Sequence, residues 1–345
     1  MITRVKRTRV CKGVLDYSID KEMIHEYVPQ SGDVALFEVL SLGKHTTVQS
    51  ASRRNVHIIE GDHILAAFGS RYATGQFEGY VPAKPSIYND VLAIGGVVGQ
   101  LKSKNAAYEH IPATQVRLIG YALDEHRKVI NTRYREVPRV PFSGRKPEGS
   151  SVILSVGSSM DSGKTTSAAY LCRGLKASGA NVAYIKLTGT VYTKDQDLAY
   201  DLGADFTVDF SDAGYPSTYM CSHDELLDLY QTLLSMTASA RPDHIVIEIA
   251  DGLVQRETDF LLRSEKFMST VDSVMLSCGD SLAAFYGVEY LDKLGYPPVV
   301  LSGLFTMSPL LVKEVQKGCS VPVLDIQELS SGQHAALFQK GKRLV

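Results

Sequence analysis

What the chain lacks narrows its class first. No apolar run approaches the roughly 18 residues that a bilayer-spanning helix needs, and the N-terminus, Met-Ile-Thr-Arg-Val-Lys-Arg-Thr-Arg, has no apolar core of the kind a secretory signal carries. There is no excess of positive charge. Lys and Arg number 36 against 38 Asp and Glu, a formal net charge of −2, which gives no global argument for a nucleic-acid partner. The five cysteines (Cys11, Cys172, Cys221, Cys278, Cys319) are scattered, odd in number and never in Cys-x-x-Cys spacing, so neither a disulfide framework nor a zinc site is indicated. They read as small, partly buried fillers. These absences leave a cytoplasmic protein without a membrane partner as the expectation, and 345 residues suggest about two domains on length alone.

What is present is organised around Ser151–Thr166. The apolar run Val152, Ile153, Leu154, Val156 ends in the small polar loop Gly157-Ser158-Ser159-Met160-Asp161-Ser162-Gly163-Lys164-Thr165-Thr166, and an apolar-periodic segment (Ala168, Ala169, Leu171, Cys172, Leu175) follows. That is strand, loop, helix. Small residues let backbone N–H groups turn inward, the helix N-terminus adds partial positive charge, Lys164 can reach a phosphate, and the Thr165 hydroxyl can ligate Mg²⁺. The spacing is unusual for such a P-loop. The first glycine is expected at position 158, which is Ser158, and stands one residue earlier, giving G-x(5)-G-K-T.

Residues 1–137 read as a β-rich domain. Gly-Asp turns precede two similar apolar runs, Asp33 before Val34–Leu40 and Asp62 before His63–Phe68. Val91–Val98, with Gly95-Gly96 inside it, and Gln115–Leu123 add further strands, so a small β-barrel or sandwich is expected. The Gly-Gly pair marks a bulge or a close backbone approach. Arg4, Lys6, Arg7, Arg9 and Lys12 alternate with valines and suit a solvated strand face rather than a phosphate-backbone contact, the alternative for such a basic run. The glycine-rich loop Gly69–Tyr80, with Arg71, Tyr72, Phe77, Glu78 and Tyr80, fits either substrate recognition or an interdomain staple. Proline and glycine between 138 and 150 mark a linker, and 151–345 changes to alternating strands and helices, the pattern of a doubly wound parallel sheet. The expected strands there are Val152–Val156, Val182–Lys186, Phe206–Phe210, His244–Ala250, Ser273–Cys278, Pro298–Ser302 and Val321–Leu324. Ser222–Glu225 is a capping box that starts a packing helix.

Ligands of such sheets lie at the carboxyl ends of the strands. Lys186 closes an apolar strand and should therefore reach solvent or an anion, with Thr188, Gly189 and Thr190 beyond it. Asp209 and Asp212 follow the third strand, and Asp195 and Asp197 lie upstream; each is either a Mg²⁺ ligand or a turn residue. Glu248, set into the end of His244–Ala250 before Asp251-Gly252, would hold Mg²⁺ or its water shell, or else form a buried salt bridge with Lys186.

Three segments, Gly157–Thr165, Lys186–Gly189 and Glu248–Leu253, resemble the dethiobiotin synthetase and cobyrinic acid synthase branch of P-loop proteins. There the corresponding segments read approximately Gly-Thr-Asp-Thr-x-x-Gly-Lys-Thr, Lys-Pro-x-x-(Thr/Ser)-Gly and Glu-Gly-Ala-Gly-Gly-Leu. The resemblance covers the C-terminal half only. It implies a nucleotide on the loop, Mg²⁺ near Thr165 and Glu248, Lys186 facing an anionic group, and activation of a carboxylate or carbamate by ATP. Leu187 replaces the family's proline and Asp251 a glycine, which changes shape and charge where substrate would lie. No Asn-Lys-x-Asp guanine-reading motif stands after the sixth strand, where Ser302-Gly-Leu-Phe-Thr306 lies instead, so ATP is favoured over GTP.

The leading expectation is a Mg²⁺-dependent, ATP-using ligase-like or kinase-like enzyme for a small anionic substrate, homo-oligomeric. Its catalytic residues would be Lys164, Lys186 and Glu248, and its metal ligands Thr165, Glu248, Asp209 and Asp212. Thr188, Gly189, Thr190, Asp251 and Arg71 would face substrate. Two rivals stand beside it, a polynucleotide kinase or nucleic-acid-dependent ATPase and a nucleotide-gated switch or assembly factor.

Overall fold

The computed structural model describes residues 4–133, 135 and 137–338. It divides into two compact units, one comprising Met1–Pro138, Gly189–Thr193 and Phe210–Met220, the other Arg139–Thr188, Lys194–Asp209 and Cys221–Val345.

In the first unit the strands in chain order are β1 (Val5–Arg7), β2 (Ser18–Asp20), β3 (Val34–Ser41), β4 (Thr47–Gln49), β5 (Asn55–His57), β6 (His63–Phe68), β7 (Phe77–Tyr80), β8 (Tyr88–Ala93), β9 (Val97–Lys104) and β10 (Thr114–Leu123). β3 pairs antiparallel with β6 and β10, β8 with β10 and β9, and β9 closes the ring by pairing parallel with β6. This closure makes the unit a small barrel rather than a sandwich and leaves no free edge among these strands. Alternate residues turn inward. Ala35, Phe37 and Val39 of β3 meet Ile64, Ala66 and Phe68 of β6 in one buried core, with Phe37 and Phe68 edge to face at 5.3 Å.

The segment expected as a single strand over Val91–Val98 is instead a hairpin. β8 and β9 turn back at Gly95-Gly96, where Gly96 has φ 98° and its N–H bonds Ala93 O at 3.1 Å. Gly95 meets the close approach anticipated for it, since a Cβ there would lie 2.0 Å from Val191 O.

In the second unit six strands form one parallel sheet: β11 (Ser151–Gly157), β12 (Val182–Lys186), β13 (Phe206–Asp209), β14 (His244–Glu248), β15 (Ser273–Ser277) and β16 (Val300–Ser302), in the order β13-β12-β14-β11-β15-β16. The helices are α1 (Lys164–Ala177), α2 (Lys194–Asp201), α3 (His223–Thr237), α4 (Arg256–Arg263), α5 (Glu265–Met268), α6 (Ser281–Lys293), α7 (Pro309–Gly318) and α8 (Ile326–Ser330). Right-handed crossovers put α1 and α2 on one face and α3, α4 and α6 on the other, because the path reverses direction after β13.

Side-chain alternation agrees with that assignment. Ala168, Ala169, Leu171, Cys172 and Leu175 of α1 share a core with Ile153, Tyr184, Val246, Met275 and Val300, which lie on one side of the sheet. The capping box at Ser222 and Glu225 opens α3 as expected. The seventh expected strand, Val321–Leu324, is reduced to a single bridge between Leu301 and Val323. Pro322 has no N–H to give and only its carbonyl is used, by Leu301 N. No helix among the described residues is long and apolar enough to cross a membrane.

Candidate functional site

The chain leaves β11 at Gly157 and enters α1 at Lys164. A Cβ on Gly157 would lie 2.3 Å from Ser162 Oγ and 2.5 and 2.6 Å from Lys164 Cγ and Cδ. The aliphatic stem of Lys164 therefore lies directly over this glycine. That contact gives the unusual spacing a reason: the residue that must lack a side chain is 157, while Ser158 is free to carry one. Lys164 Nζ bonds the carbonyl of Ser159 at 2.7 Å, so the ammonium is held inside the loop's own curve.

Two residues of the loop take left-handed backbone, Asp161 at φ 60° and Gly163 at φ 96°. Neighbouring strand ends clamp it. Ser158 N bonds Ser277 O at 2.9 Å, and Leu304 N bonds Ser162 O at 3.1 Å. Gly252 and Gly303 let two further backbones approach: a Cβ would stand 2.7 Å from Ser158 O at the first and 2.4 Å from Ser162 O at the second.

These residues suit an anion. The N–H groups of Lys164, Thr165 and Thr166, in the first turn of α1, meet no acceptor among the described residues, and the buried Ser162 Oγ has no partner there. Donors pointing out of a helix N-terminus, a floor that tolerates no Cβ and a captive ammonium are the donor set a polyphosphate requires.

Register brings the second half of the site together. Lys186 lies beside Asp209 of β13 on one side and Glu248 of β14 on the other, and Glu248 lies beside Ser155 of β11. All four stand in one row on the α1 side of the sheet. Glu248 is fully buried, and its two oxygens accept three donors. Tyr184 OH donates to Oε2 at 2.5 Å, Thr165 Oγ1 donates to Oε1 at 2.8 Å, and Lys186 Nζ donates to the same Oε1. Lys186 also reaches Asp195 Oδ2 of α2 at 2.8 Å. Of the two roles weighed from the sequence, the salt bridge to Lys186 is formed; the same carboxylate also accepts from the threonine of the loop.

The electrostatics follow from burial and neighbours. Burial depresses the Lys164 ammonium, only 6% exposed, to a pKa of about 8; the Lys186 charge adds to this while Glu248 opposes it. For Lys186 burial acts the same way but is outweighed by Asp195 and Glu248, so its pKa is raised. The Tyr184 phenol is pushed well above its ordinary value by burial and by the Glu248 and Asp195 charges, and remains a donor.

The remaining candidates are placed as follows. Thr188 Oγ1 accepts from Ala250 N at 2.8 Å, tying the end of β12 to the segment after β14. Asp251 has φ 62°. Gly189 and Thr190 belong to the barrel-containing unit, where Gly189 N bonds Thr218 Oγ1 at 2.9 Å and Thr190 bridges Ser217. Asp212, in the same unit, pairs with Arg9 at 3.1 Å and with Lys12. Arg71 is buried in the barrel wall, donating to Gln76 Oε1 at 2.6 Å and to Leu92 O.

Among the described residues no group of three or more His, Cys, Asp or Glu could hold a metal by itself. A Mg²⁺ site of one or two carboxylates completed by phosphate and water needs no such group. Tyr184 was missed in the sequence, although the signal was there. In Val182-Ala-Tyr-Ile-Lys186 it is two residues before the lysine, hence on the same side of the strand.

Neither protein-family models nor curated proteins give a match to this chain. Among solved structures it is similar to the signal recognition particle receptor FtsY from Elizabethkingia anophelis in complex with GDP (15% identity, TM-score 0.38), covering 57% of this chain and 65% of that one. The hydrogenase maturation factor HypB from Archaeoglobus fulgidus matches over 55% of this chain and 91% of its own (10% identity, TM-score 0.35). FtsY from Mycoplasma mycoides matches over 56% and 71% (15% identity, TM-score 0.35).

Proposed function

We infer that the second unit is a Mg²⁺-dependent nucleoside triphosphatase that activates a small anionic substrate. The observation that carries this is the single Glu248 carboxylate joining Thr165 of the loop to Lys186 of the neighbouring strand end. When bound, a triphosphate with its Mg²⁺ would supply the transferable phosphoryl group, and the chain's residues would position it and neutralise charge. Gly157–Thr166 would hold the phosphates through backbone N–H groups and the Lys164 ammonium. Thr165 and Glu248 would hold the metal, with Asp209 in the same row and Asp195 of α2, paired with Lys186, to orient its waters.

Lys186 would neutralise the anionic end of the acceptor, as the resemblance to dethiobiotin synthetase-like enzymes implies, with Thr188 and Asp251 shaping the space beyond it. ATP is the nucleotide we favour, since no guanine-reading motif follows β16. The test is calorimetric titration of ATP and GTP with Mg²⁺, followed by phosphate release with and without small carboxylates and carbamates. Uptake of neither nucleotide would end this reading.

A nucleotide-gated switch is the second reading, and one contact favours it. Gly252, directly after Asp251, lies against the backbone of Ser158 and Ser159, so a change in the loop would be felt by the segment leading to α4. Slow hydrolysis that no small molecule stimulates, with self-association that follows the bound nucleotide, would support it over the enzyme.

A further inference from the structure

We propose that Lys186 is the protein's own stand-in for the divalent cation: its ammonium fills the position between Glu248 and Asp195 that the metal takes over. Metal binding and release of Lys186 toward an anionic substrate are then one exchange. This rests on the reading that Thr165 and Glu248 hold the metal. Glu248 Oε1 already accepts from Thr165 Oγ1 at 2.8 Å and from Lys186 Nζ, while Oε2 accepts from Tyr184. A carboxylate oxygen with two donors has no lone pair left for a strong metal bond, so a cation shared by Thr165 and Glu248 must displace one of them. Thr165 is the other ligand, which leaves Lys186 as the group that goes.

The surroundings make the exchange balanced. Lys186 Nζ pairs with Asp195 Oδ2 at 2.8 Å and with Glu248 Oε1, so two carboxylates hold the ammonium, and Asp209 is its neighbour in register on the next strand. Removing it unbalanced would strand buried negative charge, and a divalent ion arriving in its place restores the compensation. The nearby Lys164 is held away on the carbonyl of Ser159 at 2.7 Å. Tyr184 stays behind as the fixed donor, keeping the carboxylate oriented through the change. Lys186 can swing because its ammonium rides on a flexible four-carbon stem.

The experiment is Mn²⁺ binding to the full-length protein without nucleotide, read by electron paramagnetic resonance of the free ion. Wild type, Lys186→Met and Lys186→Gln are compared, with thermal melts in parallel. Removing a unit charge at this distance should tighten Mn²⁺ binding on the order of tenfold to a hundredfold in both variants, and Glu248→Gln added to either should abolish the gain. Unchanged or weaker Mn²⁺ binding in the variants overturns the proposal, as does a gain that survives Glu248→Gln. Should the variants fold poorly, folding restored by Mn²⁺ supports the exchange. Variants that stay unfolded with and without the metal overturn it, because the cation then cannot replace the ammonium. Failure of the triphosphatase reading is separate: wild type would take up no nucleotide, whatever Mn²⁺ does in the variants.

Discussion

The displaced glycine of the loop supplies the sharpest test. In the double variant Gly157→Ala/Ser158→Gly the loop still has two glycines, now at 158 and 163, and gains the standard P-loop spacing. By consensus it should work at least as well as the natural sequence. By geometry it should fail. A Cβ at 157 would lie 2.5 Å from Lys164 Cγ and 2.6 Å from Cδ, whereas carbon atoms rest at about 3.5–4.0 Å. The lysine stem must rise by about 1 Å, and a catalytic group misplaced by that much typically costs about 10²-fold in rate. The same Cβ would stand 2.3 Å from Ser162 Oγ, so the loop cannot yield on that side either. The assay is triphosphate turnover under saturating Mg²⁺, with circular dichroism to check the fold. Gly157→Ala alone should match the double variant, and Ser158→Gly alone should stay within about threefold of wild type, since every backbone donor of the loop and the seat of the Lys164 stem are kept. A double variant turning over within a few-fold of wild type would refute the argument.

Other predictions follow from single contacts. Lys164→Ala should abolish triphosphate uptake in calorimetry while the far-ultraviolet spectrum is kept, because the loop's captive cation is gone and its carbonyl partner is satisfied by water. Tyr184→Phe removes one donor from a fully buried carboxylate without opening a cavity, and should destabilise the second unit by about 1.5–3 kcal/mol in urea unfolding. It should slow Mg²⁺-dependent turnover as well, and an unchanged unfolding midpoint would show that Glu248 is held without it. In the barrel, burial next to Arg71 and Lys44 lowers the pKa of His45 from 6.5 to about 3, so the folded state keeps the ring neutral while the unfolded chain binds a proton. Its contribution to stability is full above pH 6.5 and is lost as pH falls toward 3, by up to about 1.4 kcal/mol per pH unit. His45→Gln should flatten that acid limb in pH-dependent melts.

The cradle was legible because every part of it is local. Gly157, Gly163, Lys164, Thr165 and Thr166 are contiguous in the chain, and the strand before and the helix after announce themselves by apolar period alone. The parallel sheet was legible for the same reason, down to strand ends within one or two residues for β11 to β15. The Gly95-Gly96 hairpin was hidden inside one apolar run, since a turn made by glycines costs no polar residue to signal it. The barrel's closure was hidden too, because the parallel β6–β9 pairing joins residues about thirty apart through two Cα partners only.

By itself the sequence determined that a phosphate-shaped loop joins a strand to a helix, that an acid and a lysine end two apolar strands, and that a β-rich segment precedes them. Those are properties of neighbours along the chain. Only the tertiary structure decided that Lys186, Glu248, Asp209 and Ser155 share one row, that Tyr184 bonds its glutamate and Asp195 its lysine, and that Asp212 answers Arg9 and Lys12 in the other unit. The order of strands in a parallel sheet is set by crossover packing, and crossovers leave no mark in residue spacing. Which strand end lies beside which is therefore fixed by the fold, and with it which charges meet.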